Sequence, residues 1–442
     1  MSGSHSQFST LHSPLISIPP GYKQTEAGVL PEDWGAVALQ SITPPNRKNA
    51  IVDGPFGSNL KSIHYRKSGI PIITSGFVTD GTFHADTYDY VDRSKFLEER
   101  RSAVSPGDIV MAKIGERCGA SAILPHNHET GILSGNALKI TVDESHNSTA
   151  YIWQVLWNMH ESGKLECLRT VGAQPALSMA NLKKHKIPVP PTRDEQRAIA
   201  EALSDVDALL GGLDRLIAKK RDLKQATMQQ LLTGQTRLPG FHSEWEMKRL
   251  GEIADIKTGP FGSSLHESDY VQDGTPIITV EHLGEFGVEH RNLPMVSDHD
   301  RQRLRGYSLE IGDIVFSRVG SVDRNALIRP SEAGWLFSGR LLRVRPDKDK
   351  AFAQFLSYQF HGEAFKGLVR SVAVGQTMAC LNTQILKGII VKLPSVPEQT
   401  AIAEVLSEMD AELAGLEQRR EKTRALKQAM MQELLTGRIR LV

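Results

Sequence analysis

Lys113-Ile114-Gly115-Glu116-Arg117 follows one apolar Asp-Ile-Val run, and Arg318-Val319-Gly320-Ser321-Val322-Asp323-Arg324 follows another. A cation and a glycine at a strand exit can bring a charged head and a backbone amide up to a phosphate or a base edge. Lys113, Gly115 and Arg117 are therefore candidate DNA contacts in one half of the chain, and Arg318, Gly320 and Arg324 in the other. The plain alternative is a solvated hairpin tip. Ser134-Gly135-Asn136 and Ser338-Gly339-Arg340 precede matching strands, and Asn136 suits an adenine edge as Arg340 suits a guanine edge. Gly172-Ala173-Gln174 and Gly375-Gln376-Thr377 could line the same groove, and His84 and His282 lie in stretches that differ between the halves.

Other chemistry is missing from the pattern. Gly54-Pro55-Phe56-Gly57-Ser58 with Lys61 lacks the Gly-Lys-Ser/Thr ending of a phosphate-binding P-loop, so it reads as a structural turn. His126-Asn127-His128 is a loop tripeptide, because nuclease residues of those types stand far apart in a ββα unit. Pro346-Asp347-Lys348-Asp349-Lys350 is a polar turn before a helix, and Thr43-Pro44-Pro45-Asn46 has the wrong order for a methyltransferase motif. No HExxH or zinc spacing occurs, so no catalytic, cofactor-binding or metal-binding residue is assigned.

The candidate loops recur because the chain recurs. Gly54-Pro55-Phe56-Gly57-Ser58 returns as Gly259-Pro260-Phe261-Gly262-Ser263, and Gly107-Asp108-Ile109-Val110 as Gly312-Asp313-Ile314-Val315, each at an offset of 205 (259−54, 312−107). Glu195-Gln196 matches Glu398-Gln399, and Leu231-Leu232-Thr233-Gly234 matches Leu434-Leu435-Thr436-Gly437, at 203 (398−195, 434−231). A unit of that length is a whole domain with its appendage rather than a solenoid repeat. Ser75 to Arg101 and Val280 to Arg305 have little in common, which suggests one scaffold presenting two specificities.

With 442 residues, 40% of them hydrophobic, the chain has room for two or three domains. Three scattered cysteines favour a reducing cytoplasm over a disulfide framework. No apolar run approaches the roughly 20 residues that span a bilayer. A net charge of +1 confines nucleic-acid affinity to local patches or to an assembly partner.

Short apolar runs at 71–74, 108–112 and 137–142 read as strands, and 151–163 and 351–362 read as helices, so each module is an α+β unit. From Asp194 the texture changes. Ile199, Leu203, Val206, Leu210, Leu213 and Ile217 alternate four-three, as do Ile402, Leu406, Met409, Leu413 and Leu416. Two helices of roughly 40 residues, about 60 Å each, are expected to pack on one another and not on their own modules. Gly234 and Gly437 are expected to cap them, and Gly211-Gly212 to allow close approach or a bend. Because the first helix continues into Pro239-Gly240-Phe241 while the second stops at Val442, a two-fold arrangement would bring Leu441 near Pro20.

Two variable modules, each followed by a helix ending like Leu426 to Gly437, resemble the specificity subunit of type I restriction-modification systems. Gly21-Tyr22-Lys23-Gln24-Thr25-Glu26 through Trp34, Pro190-Pro191-Thr192-Arg193-Asp194-Glu195-Gln196 and Pro394-Ser395-Val396-Pro397-Glu398-Gln399 agree with the family's openings of the module and of the helices. The resemblance implies an α+β fold with two globular target-recognition domains of mixed α/β structure and two long helices packed as an antiparallel coiled coil, in an internal pseudo-two-fold repeat. Residues 1–20, rich in Ser, Pro and His and without a basic start or apolar core, are expected to be a disordered lead, and the resemblance implies recognition domains over 21–190 and 237–393 and spacer helices over 191–236 and 394–442. It also implies a cytoplasmic, non-catalytic subunit that binds a bipartite double-stranded DNA target. Its partners would be modification subunits using S-adenosylmethionine and restriction subunits using ATP and magnesium. A stand-alone methyltransferase and a structural coiled-coil adaptor remain the alternatives.

Overall fold

The computed structural model describes residues 18–170, 175–260, 265–284, 287–373 and 380–441. Most of the 1–20 lead therefore lies outside the described residues. The chain divides into two compact units, one of residues 1–212 with 420–442 and one of residues 213–419. Each unit takes part of both long helices.

In the first unit an antiparallel sheet runs in the order Ile51–Asp53, Ala137–Ile140, Ile109–Ala112, Ser121–Ile123. Its central strands are buried at every residue, so Ile109–Ala112 reads as a continuous apolar run, while Lys139 in Ala137–Ile140 is buried against Asp108 at 3.3 Å. Ile109, Met111 and Leu138 face a core that includes the helix Thr149–Glu161, while Val110 and Ala137 face Ile73, Val104 and Leu133. Those last residues belong to a second sheet, Tyr90–Val91, Ile70–Ile73, Gly131–Leu133, Ala103–Val104, with one parallel pairing of Ile132 on Ile72. Helix, sheet and sheet thus form three layers.

The second unit repeats this plan. Ala254–Thr258, Leu341–Pro346, Ile314–Ser317 and Asn325–Leu327 form the antiparallel sheet, with Ile277 on Leu336 as the parallel pairing of the other. Phe316 packs toward the helix Ala353–His361, and Val315 toward Phe337 and Ile278. An unanticipated helix, Glu363–Val372, follows at once. Gly362 breaks between the two with extended backbone, and only Phe365 and Val369 of the second helix are buried.

The long helices span Arg193–Thr233 and Val396–Leu434. Within each unit their segments run antiparallel: Asp207 pairs with Lys427 at 2.6 Å in the first, and Lys220 with Glu412 at 2.7 Å in the second, where Lys224 also pairs with Asp410. The expectation that neither helix packs on its own module is corrected. Ile199, Ala200 and Leu203 join Trp34, Ile187 and Val189 in one core with Met431, Leu434 and Leu435, and Ile402, Ala403 and Leu406 do the same with Trp245, Leu231 and Leu232. The apolar stripe at the start of each helix, and the last turn of the other, are absorbed by the core that adjoins them, so the middle turns are left for helix pairing alone. The helix runs through Gly211-Gly212 without a break, and a Cβ on Gly212 would meet nothing within 4 Å.

Both helices end as anticipated. Gly234 and Gly437 have φ of 73° and 70°, a left-handed conformation that closes the last turn. A Cβ on Gly234 would lie 3.3 Å from Trp245, and one on Gly437 would lie 2.6 Å from Pro31. Tyr22 Oη donates to the Gly437 carbonyl at 3.1 Å, and Arg440 reaches Asp33 at 3.1 Å, so the tail of the chain is bound to its opening strands within the first unit.

Candidate nucleic-acid interface

Four loops meet at one end of the central sheet in the first unit. The strand Ile51–Asp53 leaves the sheet at Gly54, whose N–H donates to the Ala137 carbonyl at 3.0 Å. A Cβ on Gly54 would stand 2.0 Å from the Ser134 carbonyl oxygen, so the crossing requires glycine. In the second unit Gly259 donates to Leu341 at 3.1 Å, and its Cβ would stand 2.1 Å from the Ser338 oxygen. The repeated glycine serves this backbone approach.

Lys113 sits where the loops cross. Its N–H donates to the Asn136 carbonyl at 2.8 Å, and its carbonyl accepts from Leu177 at 2.9 Å. Its ammonium lies 2.6 Å from Asp53 and 4.0 Å from the centre of the Phe56 ring, with 12% of the side chain exposed. That charge is already neutralised inside the protein. The turn then passes through Gly115, at φ 103°, whose N–H is taken by the Pro175 carbonyl at 3.1 Å. Arg117 is exposed beside Glu116 and forms no ion pair among the described residues. Cys118, behind it, is buried and donates to the Lys113 carbonyl at 3.0 Å. Burial pushes its thiol pKa up, which removes it as a nucleophile. Asn136 is exposed, but its amide oxygen accepts from the Ser75 N–H at 3.4 Å and from the Ser134 hydroxyl.

The second unit places its candidates similarly. Arg318 is half-buried, its N–H donating to the Arg340 carbonyl at 2.9 Å and its carbonyl accepting from Leu381 at 2.8 Å. Gly320, at φ 79°, stands at the exposed tip. Arg324 turns back to donate to the Leu283 carbonyl. Arg340 is exposed and forms no ion pair among the described residues. The backbones of Lys113 and Asn136, and of Arg318 and Arg340, are thus hydrogen-bonded neighbours, whereas Arg117 is exposed and Arg324 is bonded to the Leu283 carbonyl.

His84 is exposed and 3.5 Å from Asp80, while His282 is buried and bonded to Thr279 and, at 3.1 Å, to the Arg291 carbonyl. Gly172 to Gln174, Gly375 to Thr377 and Phe261 to Ser263 lie outside the described residues. Among the described residues no cluster of His, Cys, Asp and Glu could hold a metal ion, and no helix is long and apolar enough to cross a membrane.

Sequence patterns missed the roles of the Glu-Gln pairs. Gln196 accepts from the Ser148 N–H at 2.8 Å and Gln399 from the Phe352 N–H at 2.8 Å, each joining a long helix to the start of a module helix. Glu195 and Glu398 are buried beneath Arg440 and Arg237. The signal was there: Arg440 follows Arg237 at the same offset of 203 (440−237) that separates the two glutamates.

The sequence and the fold are similar to those of known proteins. The description "Type I restriction modification DNA specificity domain" matches residues 31–218 and again 242–424. The specificity subunit of type I restriction enzyme MjaVIII from Methanocaldococcus jannaschii is 23% identical over 436 residues, covering 95% of this chain and 96% of that one. The StySPI specificity subunit from Salmonella potsdam is 27% identical, covering 87% and 83%. The crystal structure of the S subunit of a type I restriction-modification system from M. genitalium shares the fold with a TM-score of 0.56 at 16% identity, over 91% of this chain and 96% of that one. With most of its length matched, and matched twice, the chain belongs to the family of type I restriction-modification DNA specificity proteins.

Proposed function

We propose that the chain reads a bipartite DNA sequence, one half per module, and that it acts only inside a larger enzyme whose other subunits methylate and cut. The observation that carries this reading is the double construction of one loop cluster, in which a glycine-enforced crossing presents an exposed arginine, Arg117 in one copy and Arg340 in the other, amid unlike neighbours. Cations of that kind position a protein on phosphates or read guanine, and unlike neighbours give unlike half-sites. The partners are double-stranded DNA, modification subunits that bring S-adenosylmethionine, and restriction subunits that bring ATP and magnesium, in the cytoplasm. A solved chain that belongs to the complex assembly of a type I R-M system shares the fold at 17% identity, with a TM-score of 0.54 over 93% of this chain, which supports an assembled state. The stand-alone methyltransferase reading is set aside, because both matched segments are specificity domains.

Exchanging residues 22–185 for the equivalent module of a relative tests the proposal. Methylated adenines mapped in a host carrying the full system should change in one half of the target and persist in the other. Change in both halves, or methyl transfer by the isolated chain, would contradict it.

A further inference from the structure

We propose that Phe56 is the apolar group through which the first module contacts the bases or sugars of its half-site, an inference that rests on the DNA reading above. A lone exposed aromatic is ordinary on a protein surface. This one is built in. The residue is 44% exposed at the loop cluster, yet the backbone just before it is pinned by the Gly54 crossing, and Gly57 after it turns with a left-handed φ of 57°. The Pro55 carbonyl runs so close to Gly135 that a Cβ there would stand 2.9 Å away. The Lys113 ammonium is held 4.0 Å from the ring centre, and Asp53 neutralises it at 2.6 Å.

A ring supported in this way loses little freedom on binding, which favours contact affinity. The charges nearby specify the occupant. Lys61 and Lys67 are exposed on the segment that follows Phe56, and Arg117 is exposed on the loop that begins at Lys113, the residue held against the ring; cations on these two segments suit phosphates, as the ring suits bases. The matching stretch of the second copy has His266 and Gln272 in place of Lys61 and Lys67 and carries Glu267, Asp269 and Asp273, so these two cations are a feature of the first copy.

The test uses the chain assembled with its modification subunits, and a short duplex carrying the system's methylation target or a version with the first half scrambled. Affinities are measured over a series of potassium chloride concentrations. Phe56→Ala should weaken specific binding about tenfold to a hundredfold without altering the slope of log K against log salt, because no phosphate contact is lost. Phe56→Tyr should bind within about threefold of the parent. Wild-type affinity for Phe56→Ala, or a loss accompanied by a shallower salt slope, overturns the proposal. If Phe56→Ala does not assemble, Phe56→Leu, which keeps most of the volume but no aromatic face, is read by the same criteria. A parent complex that prefers neither duplex would instead remove the DNA reading itself.

Discussion

Arg440 holds the buried carboxylate of Glu195, with Nη2 2.8 Å from Oε2, and Arg237 holds Glu398 in the same way at 2.7 Å. Each arginine follows the end of one long helix, and each glutamate stands in the first turn of the other. The contact therefore binds the two helices and the module together inside each unit.

Removing either member should have unequal effects. Arg440→Ala strands a carboxylate that is 1% exposed and should destabilise the first unit by about 3 kcal/mol. Glu195→Gln leaves an arginine that is 35% exposed, free to hydrate, and should cost only about 1 kcal/mol. Denaturant unfolding of the two variants checks the order; equal losses would mean that the carboxylate is not effectively desolvated.

Glycine at the crossing should be irreplaceable. Gly54→Ala and Gly259→Ala each place a methyl about 2 Å from a carbonyl oxygen, and strain of that kind costs roughly 3 kcal/mol or displaces the loops. Gly240→Ala, in open space, provides a comparison, though its φ of 90° carries a cost of its own of roughly 1 kcal/mol. Melting temperatures of the three variants should separate the two crossing positions from the third.

Tyr358 should be among the last tyrosines to titrate. Burial is the main cause of its pKa rising to about 12, assisted by its hydroxyl donating to Asp410 Oδ2 at 2.7 Å. Folding thus favours the protonated ring, so its stabilising contribution is fully present below the unfolded value of 10.0 and is lost as pH rises through about 12. Absorbance at 295 nm should show this phase late in the wild type and missing in Tyr358→Phe.

Charge removal at the loops should divide the candidates by role. Arg117→Ala and Arg340→Ala should each weaken DNA binding by the assembled complex and lower the salt slope by about 1. Lys113→Met should leave the slope unchanged and lower the melting temperature, since its charge is spent on Asp53. A reduced slope for Lys113→Met would show that DNA competes for that ammonium.

Joining residue 441 to residue 20 by a short linker and opening the chain at Gly240 should preserve folding and half-site choice. Tyr22 and Asp33 already touch the tail at Gly437 and Arg440, and such neighbouring ends tolerate permutation. Thermal unfolding and methylation mapping of the permuted protein check this.

What could be read from residue order was whatever repeats or alternates locally. The duplicated glycines, the apolar runs Ile109–Ala112 and Ile314–Ser317, the four-three stripe and the capping Gly234 and Gly437 all depend on neighbours a few positions away, where periodicity and backbone conformation leave a mark. Glu363–Val372 escaped notice although Phe365, Leu368, Val369 and Val372 keep helical spacing, because it starts at once after another helix and carries Gly367 in its interior. Tertiary structure decided the rest. It placed Asp53 against Lys113 across 60 residues and Glu195 against Arg440 across 245, and drew Ile199 and Leu203 into a module core with Met431 and Leu434. Whether a cation is available to DNA or consumed by a carboxylate is a property of the space around it, and distant segments build that space.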